Sequence, residues 1–128
     1  GLITNGNDPF KENPMPQTLL PHKGTDHFIN ILELLARIQI GDNVPVEHII
    51  QENLASLPWG TTIILITGGL NKDLLDSLFR IRKTGLLPVI ILTAHIQNFA
   101  KLRQIAEFYS IPLYTATKLD HLKTLGLY

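Results

Sequence analysis

The sequence predicts an α/β domain built on a mostly parallel sheet, and two observations carry this prediction. From residue 58 onward, apolar runs of strand length alternate with amphipathic segments of helix length, which is typical of βαβ units. The most apolar of these runs, Thr62–Thr67, contains no charged residue. Such a strand is expected in the middle of a sheet that is covered on both faces.

The first segments of the chain are less regular. Gly1–Gly6 is predicted to be a strand that opens the chain without a lead-in, and Gln17–Leu20 is predicted to be a short edge strand. The rest of the stretch before Gly24 shows little periodicity and is predicted to be a long connection. Its prolines support this prediction, namely Pro9, Pro14, Pro16 and Pro21.

Two successive helices are predicted next. The first follows Thr25, which suits an N-cap, and Glu33 and Arg37 are expected to pair on its solvent side because they lie four residues apart. The second starts at about Pro45, since proline suits the first turn of a helix. Apolar stripes define the inward sides of both helices: Phe28, Ile31, Leu32, Leu35 and Ile38 in the first, and Val46, Ile49, Ile50, Leu54 and Leu57 in the second.

The second half of the chain supplies the βαβ units. Asn71 is expected to cap the first helix of this half, and Gly85 is expected to stop it. On the strand Thr62–Thr67, Ile64 and Ile66 are expected to face one helical layer, and Ile63 and Leu65 the other. The predicted strands are Thr62–Thr67, Pro88–Thr93 and Pro112–Thr115, and the predicted helices are Asn71–Thr84, Asn98–Ser110 and Leu119–Leu125.

Composition narrows the classes of function. With 128 residues, of which 45% are hydrophobic, residues 1–128 are expected to form a single domain with a real core. The 11 basic and 11 acidic residues cancel and are dispersed, which disfavours nucleic acid as a partner. The absence of cysteine excludes disulfides and thiolate chemistry. No apolar run approaches the ~20 residues that span a bilayer, so the chain as given is expected to be soluble and not itself in the membrane.

The motif Thr67-Gly68-Gly69 lies where a predicted strand gives way to a helix. Open α/β sheets bind ligands at such strand ends, and a small molecule or a nucleotide bound at this turn is one interpretation. The spacing of a dinucleotide-binding glycine motif and the lysine of a P-loop are both missing. The preferred interpretation is structural: Gly69 permits a tight turn between strand and helix. No cofactor is therefore expected.

The histidines offer weaker hypotheses. His22 and His27 flank Asp26, and these three side chains could suggest a metal site, but a surface role is preferred because the segment straddles a helix start. His95 follows a predicted strand and should share the sheet rim with Thr67, which leaves a hydrolase as a third, weaker interpretation. His48 and His121 are expected on helix surfaces. No catalytic triad and no paired acids can be assembled from the sequence, so no catalytic residue is expected and the protein is predicted not to be an enzyme.

Three segments of the chain carry a resemblance to a known family: "KGTDHFINILELLARI", "LPWGTTIILITGG" and "AEFYSIPLYTATKLDHLKTL". Together they resemble the bacterial domain-of-unknown-function 58 family, whose soluble part is von Willebrand factor A-like, and the resemblance covers nearly the whole chain. It implies a Rossmann-like three-layer sandwich. It also implies that this chain is a partial domain, the C-terminal part of a longer protein, and that it lacks the first central strand.

The resemblance further implies a function in protein interaction. Family members are often anchored in the membrane through a separate N-terminal region and are encoded near MoxR-type AAA ATPases. The parent protein is therefore expected to be anchored in a bacterial membrane with this domain in the cytoplasm, and an AAA ATPase is the expected protein partner.

A degenerate metal site is implied as well. Related domains hold a divalent metal with an Asp-x-Ser-x-Ser motif, a threonine and an aspartate. Here Thr25 matches the threonine, Gly68 occupies the aspartate position, and the Asp-x-Ser-x-Ser motif is absent. No metal is therefore expected, because neutral hydroxyls alone are poor ligands for hard cations. The same region is the candidate interaction rim, which consists of Thr25, Asp26, Thr67, Gly68, Gly69 and His95.

The missing first strand has a consequence for assembly. Without it, Thr62–Thr67 keeps one natural neighbour, Pro88–Thr93, and an open edge. Open edges recruit another strand. Either Gly1–Asn5 moves in to pair with Thr62–Thr67, or a second copy of the chain supplies the partner, so a homodimer through the open sheet edge is expected.

Overall fold

A computed structural model describes residues 1–12, 17–40, 44–118 and 123. The chain divides into two compact units, Gly1–Ala55 and Ser56–Tyr128. The predicted α/β class is confirmed: a three-stranded parallel sheet is flanked by helices, an arrangement compatible with a Rossmann-like sandwich. The predicted helix Leu119–Leu125, apart from Lys123, and His121 within it lie outside the described residues.

The first unit begins with a pair of short antiparallel strands. Strand β1 (Leu2–Thr4) lies beside β2 (Gln17–Leu19), with Leu2 opposite Leu19 and Thr4 opposite Gln17. The expectation that Gly1–Asn5 pairs with Thr62–Thr67 is therefore wrong. Its physical reason is proximity along the chain, because closing the connection of residues 5–16 costs less chain entropy than a pairing across about sixty residues.

Two helices complete the first unit, α1 (Thr25–Arg37) and α2 (Val46–Leu54). Thr25 does not cap α1: Gly24 is the N-cap residue, and its φ of 114° is one that threonine rarely adopts. In α2, Pro45 precedes the first helical residue, and Ile49, Ile50 and Leu54 are buried as predicted. His48 is exposed on this helix, which confirms its predicted surface position.

The inward side of α1 differs from the prediction. Phe28, Leu32 and Leu35 are exposed, whereas Leu34 is buried. Arg37 pairs with Asp8 of the preceding loop, not with Glu33 as expected: its Nε lies 2.9 Å from Asp8 Oδ2. Leu34 and Arg37 are three residues apart and share one side of the helix, so the ion pair and the burial of Leu34 together orient α1.

The second unit contains the βαβ units. Its order along the chain is β3 (Thr62–Thr67), α3 (Lys72–Lys83), β4 (Leu87–Leu92), α4 (Phe99–Phe108) and β5 (Leu113–Thr115). The three strands are parallel in the order β3-β4-β5, with Ile64 opposite Val89 and Ile91 opposite Tyr114. As predicted, Asn71 caps α3, and its Oδ1 accepts a hydrogen bond from Leu74 N–H at 2.8 Å.

Both helices of this unit lie on the same face of the sheet. Parallel crossovers are right-handed, and the two crossovers step across the sheet in the same direction, so α3 and α4 cover one side. They contact each other through Tyr109, whose ring stacks on Phe79 at 4.2 Å between centroids and whose hydroxyl donates to Asp76 Oδ1 at 2.5 Å. The hydrogen bond to Asp76, together with burial, raises the pKa of Tyr109. On the covered side of β4, Pro88, Ile90 and Leu92 are buried.

The opposite side of the sheet is the open face, formed by the side chains that point away from α3 and α4. Ile64 is 57% exposed and Ile66 is 67% exposed, so the prediction that β3 is covered on both faces is wrong. An uncharged strand can be recognised from sequence, but the number of helical layers depends on crossover direction, which no local pattern records. The open face comprises Thr62, Ile64, Ile66, Leu87, Val89, Ile91 and Tyr114, of which Ile91 is buried.

Candidate interaction site

The turn after β3 is held by the side chain of Thr67. Its hydroxyl donates to the Gly69 carbonyl at 2.9 Å and accepts from the Gly69 N–H at 3.2 Å. The Thr67 carbonyl in turn accepts from the backbone N–H of Thr93 at 2.9 Å and from the Thr93 hydroxyl at 3.2 Å. Two threonines therefore tie together the carboxyl ends of β3 and β4.

The glycines of this turn are not required by the backbone. Neither Gly68 nor Gly69 has a φ in the left-handed region, and a Cβ added at Gly69 would meet no atom within 4 Å. At Gly68 the nearest atom would be Thr93 Oγ1 at 3.8 Å, an ordinary van der Waals contact. The interpretation that Gly69 is present to permit a tight turn is therefore wrong. What the glycines do produce is an exposed and unshielded stretch of backbone.

This stretch has little of what a nucleotide site needs. The Gly69 N–H is already bonded to the Thr67 hydroxyl, so it is not free to donate to a phosphate. The hydroxyl of Thr67 is likewise engaged with Gly69. His95 is exposed two residues beyond Thr93, at the same end of the sheet. Thr67, Gly68, Gly69 and His95 thus lie at the carboxyl ends of β3 and β4, in the second unit.

The two other residues of the candidate interaction rim lie in the first unit. Thr25 and Asp26 are the first two residues of α1, and both are exposed. Nearby, the rings of His22 and His27 approach to 5.8 Å between centroids, and His22 Nδ1 lies 2.7 Å from the Lys23 carbonyl oxygen. Within residues 1–12, 17–40, 44–118 and 123, no three His, Cys, Asp or Glu side chains come together as metal ligands.

The amino ends of β3 and β4 are joined by features that sequence reasoning missed. Gly60 has a φ of 80°, and its N–H donates to the Gly85 carbonyl at 2.8 Å. Gly85 has a φ of 92°, and the Trp59 indole lies where a Cβ of residue 85 would be. The Thr61 hydroxyl donates to the Pro58 carbonyl at 2.7 Å. Trp59, Gly60 and Thr61 therefore hold the amino ends of β3 and β4 together, at the end of the sheet opposite Thr67.

The open face is the most distinctive surface of the second unit. Four of its large side chains are exposed on three adjacent strands: Ile64, Ile66, Leu87 and Tyr114. No charged residue occurs in β3, β4 or β5. Ile91 lies between Ile66 and Tyr114 on this face and is buried, at 8% exposure. Exposed apolar side chains on three neighbouring strands are nevertheless a candidate contact site. The sequence feature that indicates this surface is the absence of charge in β3, but the same feature also predicts a strand buried in the core.

Asp8, in the first unit, is a buried carboxyl group with a shifted pKa. Burial acts to raise the pKa of Asp8, but the hydrogen bond from Phe10 N–H and the Arg37 guanidinium outweigh it and hold that pKa below its usual range. The charged Asp8 is fully buried. Because both of its oxygens are occupied by partners inside the protein, Asp8 stabilises the loop against α1 and is not positioned to act on a ligand.

No protein-family model matches this chain, and comparisons with curated proteins and with solved structures returned no significant match. Among the described residues, no helix is long and apolar enough to cross a bilayer.

Proposed function

We propose that this chain is a non-enzymatic protein-interaction module whose main contact surface is the open face of the β3-β4-β5 sheet. The single observation that supports it is the exposure of Ile64, Ile66, Leu87 and Tyr114 on three adjacent strands of one sheet face. Burial of such residues in an interface is favourable by ~25 cal/mol for each Å² of apolar surface removed from water. A few residues near the centre of an interface contribute most of its binding energy, and tyrosine is one of the residue types enriched among them.

The proposed partner is a MoxR-type AAA ATPase. This proposal comes from the resemblance to the domain-of-unknown-function 58 family, carried by "KGTDHF" and "LPWGTTIILITGG". With it we propose that the fold is von Willebrand factor A-like, and that the parent protein is anchored in a bacterial membrane with this domain in the cytoplasm. The parallel order of β3, β4 and β5 supports the fold assignment, since von Willebrand factor A-like domains are built on a Rossmann-like sheet.

The alternative is a Rossmann-like domain that binds a small molecule or a nucleotide at the turn after Thr67. The hydrogen bonds between Thr67 and Gly69 argue against it, because they occupy the hydroxyl and the N–H that would otherwise contact a phosphate. A thermal-shift screen with nucleotides distinguishes the two functions. A nucleotide that binds only the folded state would raise the melting temperature by mass action, and the interaction module predicts no such rise.

The direct test is binding to a purified MoxR-type AAA ATPase by biolayer interferometry. We expect the unsubstituted chain to bind, and Ile64→Thr combined with Ile66→Thr to weaken binding at least ~10-fold, which requires a joint loss of only ~1.4 kcal/mol from two residues of the proposed contact surface. Ile29→Thr is the matched control: Ile29 is also an exposed isoleucine, but it lies on α1 in the first unit. Failure of the unsubstituted chain to bind, or equal weakening by Ile29→Thr, would contradict the proposal.

A further inference from the structure

One backbone edge of strand β3 is unpaired within the part of the chain that the structure describes. Among the described residues the strand pairs with β4 alone. The Thr61 carbonyl accepts from Leu87 N–H, and the Thr67 carbonyl accepts from Thr93 N–H, both at 2.9 Å. Because backbone groups alternate in direction along a strand, the odd-numbered residues of β3 turn their N–H and C=O groups toward β4. The corresponding groups of Thr62, Ile64 and Ile66 therefore point to the open edge.

This edge carries none of the features that normally protect an exposed strand. Natural edges are blocked by charged side chains, by proline or by a bulge. Residues 60–69 contain no charge and no proline, and the register of β3 with β4 runs from Thr62 to Thr67 without a bulge. An edge of this composition accepts another strand.

We propose that the open edge of β3 pairs with β3 of a second copy of this chain, antiparallel and around a two-fold axis at Ile64. In an antiparallel pair, residues that exchange hydrogen bonds stand directly opposite each other. Centring the axis on Ile64 sets Ile64 opposite its own copy and Thr62 opposite Ile66. Thr62, Ile64 and Ile66 then all form hydrogen-bonded pairs with β3 of the second copy. With the axis at Ile63 or Leu65, one of these three residues has no partner in that strand.

The side chains favour the same arrangement. With this register, directly opposite residues lie on the same side of the sheet, so the open faces of the two copies become one continuous surface. No like charges meet at the two-fold axis, because β3 has none. A second copy is the favoured occupant because both strands of the pair then present the same uncharged edge. The dimer does not depend on the proposed function, since partner binding requires the open face and dimerisation requires the edge.

Single cysteines test the register directly, since the chain has no cysteine of its own. In a hydrogen-bonded antiparallel pair the two Cα atoms lie ~5.5 Å apart. That separation is within the range that a disulfide spans, about 4.4–6.8 Å. We expect Ile64→Cys to form a disulfide-linked dimer under mild oxidation. Leu87→Cys is the matched control: it is similarly exposed on the same face, but in the dimer its copy is at least three strand spacings away, ~14 Å.

The outcomes of the crosslinking experiment are decisive. Crosslinking through Ile64→Cys and not through Leu87→Cys supports the paired edge. Crosslinking through both indicates that the open faces pack against each other, and no crosslinking through Ile64→Cys indicates that the edge stays unpaired. Either of these two results overturns the proposal.

Sedimentation velocity provides the second measurement. Ile64→Pro removes the N–H that points to the edge and leaves the hydrogen bonds to β4 intact, which proline tolerates on an edge strand. We expect the unsubstituted chain and Ile64→Thr, which keeps the N–H, to sediment as dimers, and Ile64→Pro to sediment as a monomer with an unchanged circular dichroism spectrum. A monomeric unsubstituted chain overturns the proposal, and so does a dimer that survives Ile64→Pro. If Ile64→Pro fails to fold, the cysteine variants decide the question.

Discussion

Arg37 and Asp8 form a charged hydrogen bond in which Arg37 Nε donates to Asp8 Oδ2 at 2.9 Å, while the Asp8 side chain is fully buried. The second carboxylate oxygen accepts from Phe10 N–H at 3.1 Å. This pair ties the loop after β1 to the last turn of α1. Its effect on stability depends on the charge of Asp8.

The first prediction concerns pH. The pKa of folded Asp8 is lowered, so its contribution to stability is present above the unfolded pKa of about 3.9 and is lost as pH falls through the folded value. We expect the chain to lose stability below about pH 4 more steeply than Asp8→Asn does. Urea unfolding between neutral and acidic pH measures both curves. Parallel curves for the two proteins would show that Asp8 titrates alike in the folded and unfolded states.

The second prediction compares two isoleucines of the sheet. Ile90 is fully buried on the covered side of β4, so Ile90→Ala should cost ~2–5 kcal/mol through lost burial and a residual cavity. Ile64 is 57% exposed on the open face, so Ile64→Ala should cost less than ~1 kcal/mol. Denaturant unfolding at low protein concentration checks both values. Similar losses for the two variants would show that the open face is covered in solution.

The third prediction separates two glycines. Gly85 has a φ of 92°, and a Cβ there would collide with the Trp59 indole, so Gly85→Ala should cost at least ~1–2 kcal/mol. Gly69→Ala meets no atom within 4 Å and should change stability by no more than ~0.5 kcal/mol. Thermal unfolding of the two variants measures both changes in stability. A destabilised Gly69→Ala beside a neutral Gly85→Ala would contradict the geometry of both turns.

The fourth prediction concerns metal. Thr25 and Thr67 offer only neutral hydroxyls, and among the described residues no three His, Cys, Asp or Glu side chains come together, so we expect no saturable binding of Mg²⁺ or Mn²⁺ in titration calorimetry. Thr25→Ala is the control. Micromolar binding that disappears in Thr25→Ala would show that the metal site is functional after all.

The second unit was predictable in most of its elements. The strands and helices from Thr62 to Thr115 occur within one or two residues of their predicted limits, because strand length, helical spacing and the Asn71 cap are local properties. The open face was not predictable in this way. Ile64 is buried or exposed depending on the side of the sheet on which α3 and α4 lie. That side is set by the topology of the crossovers and not by local sequence.

The first unit was harder to predict for a related reason. The spacing of Phe28, Leu32 and Leu35 indicated a buried stripe, but α1 is oriented by Leu34 and by the contact of Arg37 with Asp8. Asp8 lies 29 residues before Arg37, in a proline-rich loop with no periodic pattern. An ion pair between segments so far apart in the chain cannot be predicted from the spacing of residues within either segment.

The open face is central to this account, and chemical-shift mapping tests it most directly. A MoxR-type AAA ATPase is added stepwise to the chain with isotopically labelled isoleucine methyl groups. We predict that the resonances of Ile64 and Ile66 broaden or shift first, while that of Ile90, on the covered side, changes little. Perturbations confined to isoleucines of α1 and α2, or none at all at saturating ATPase, would contradict the role of the open face in binding.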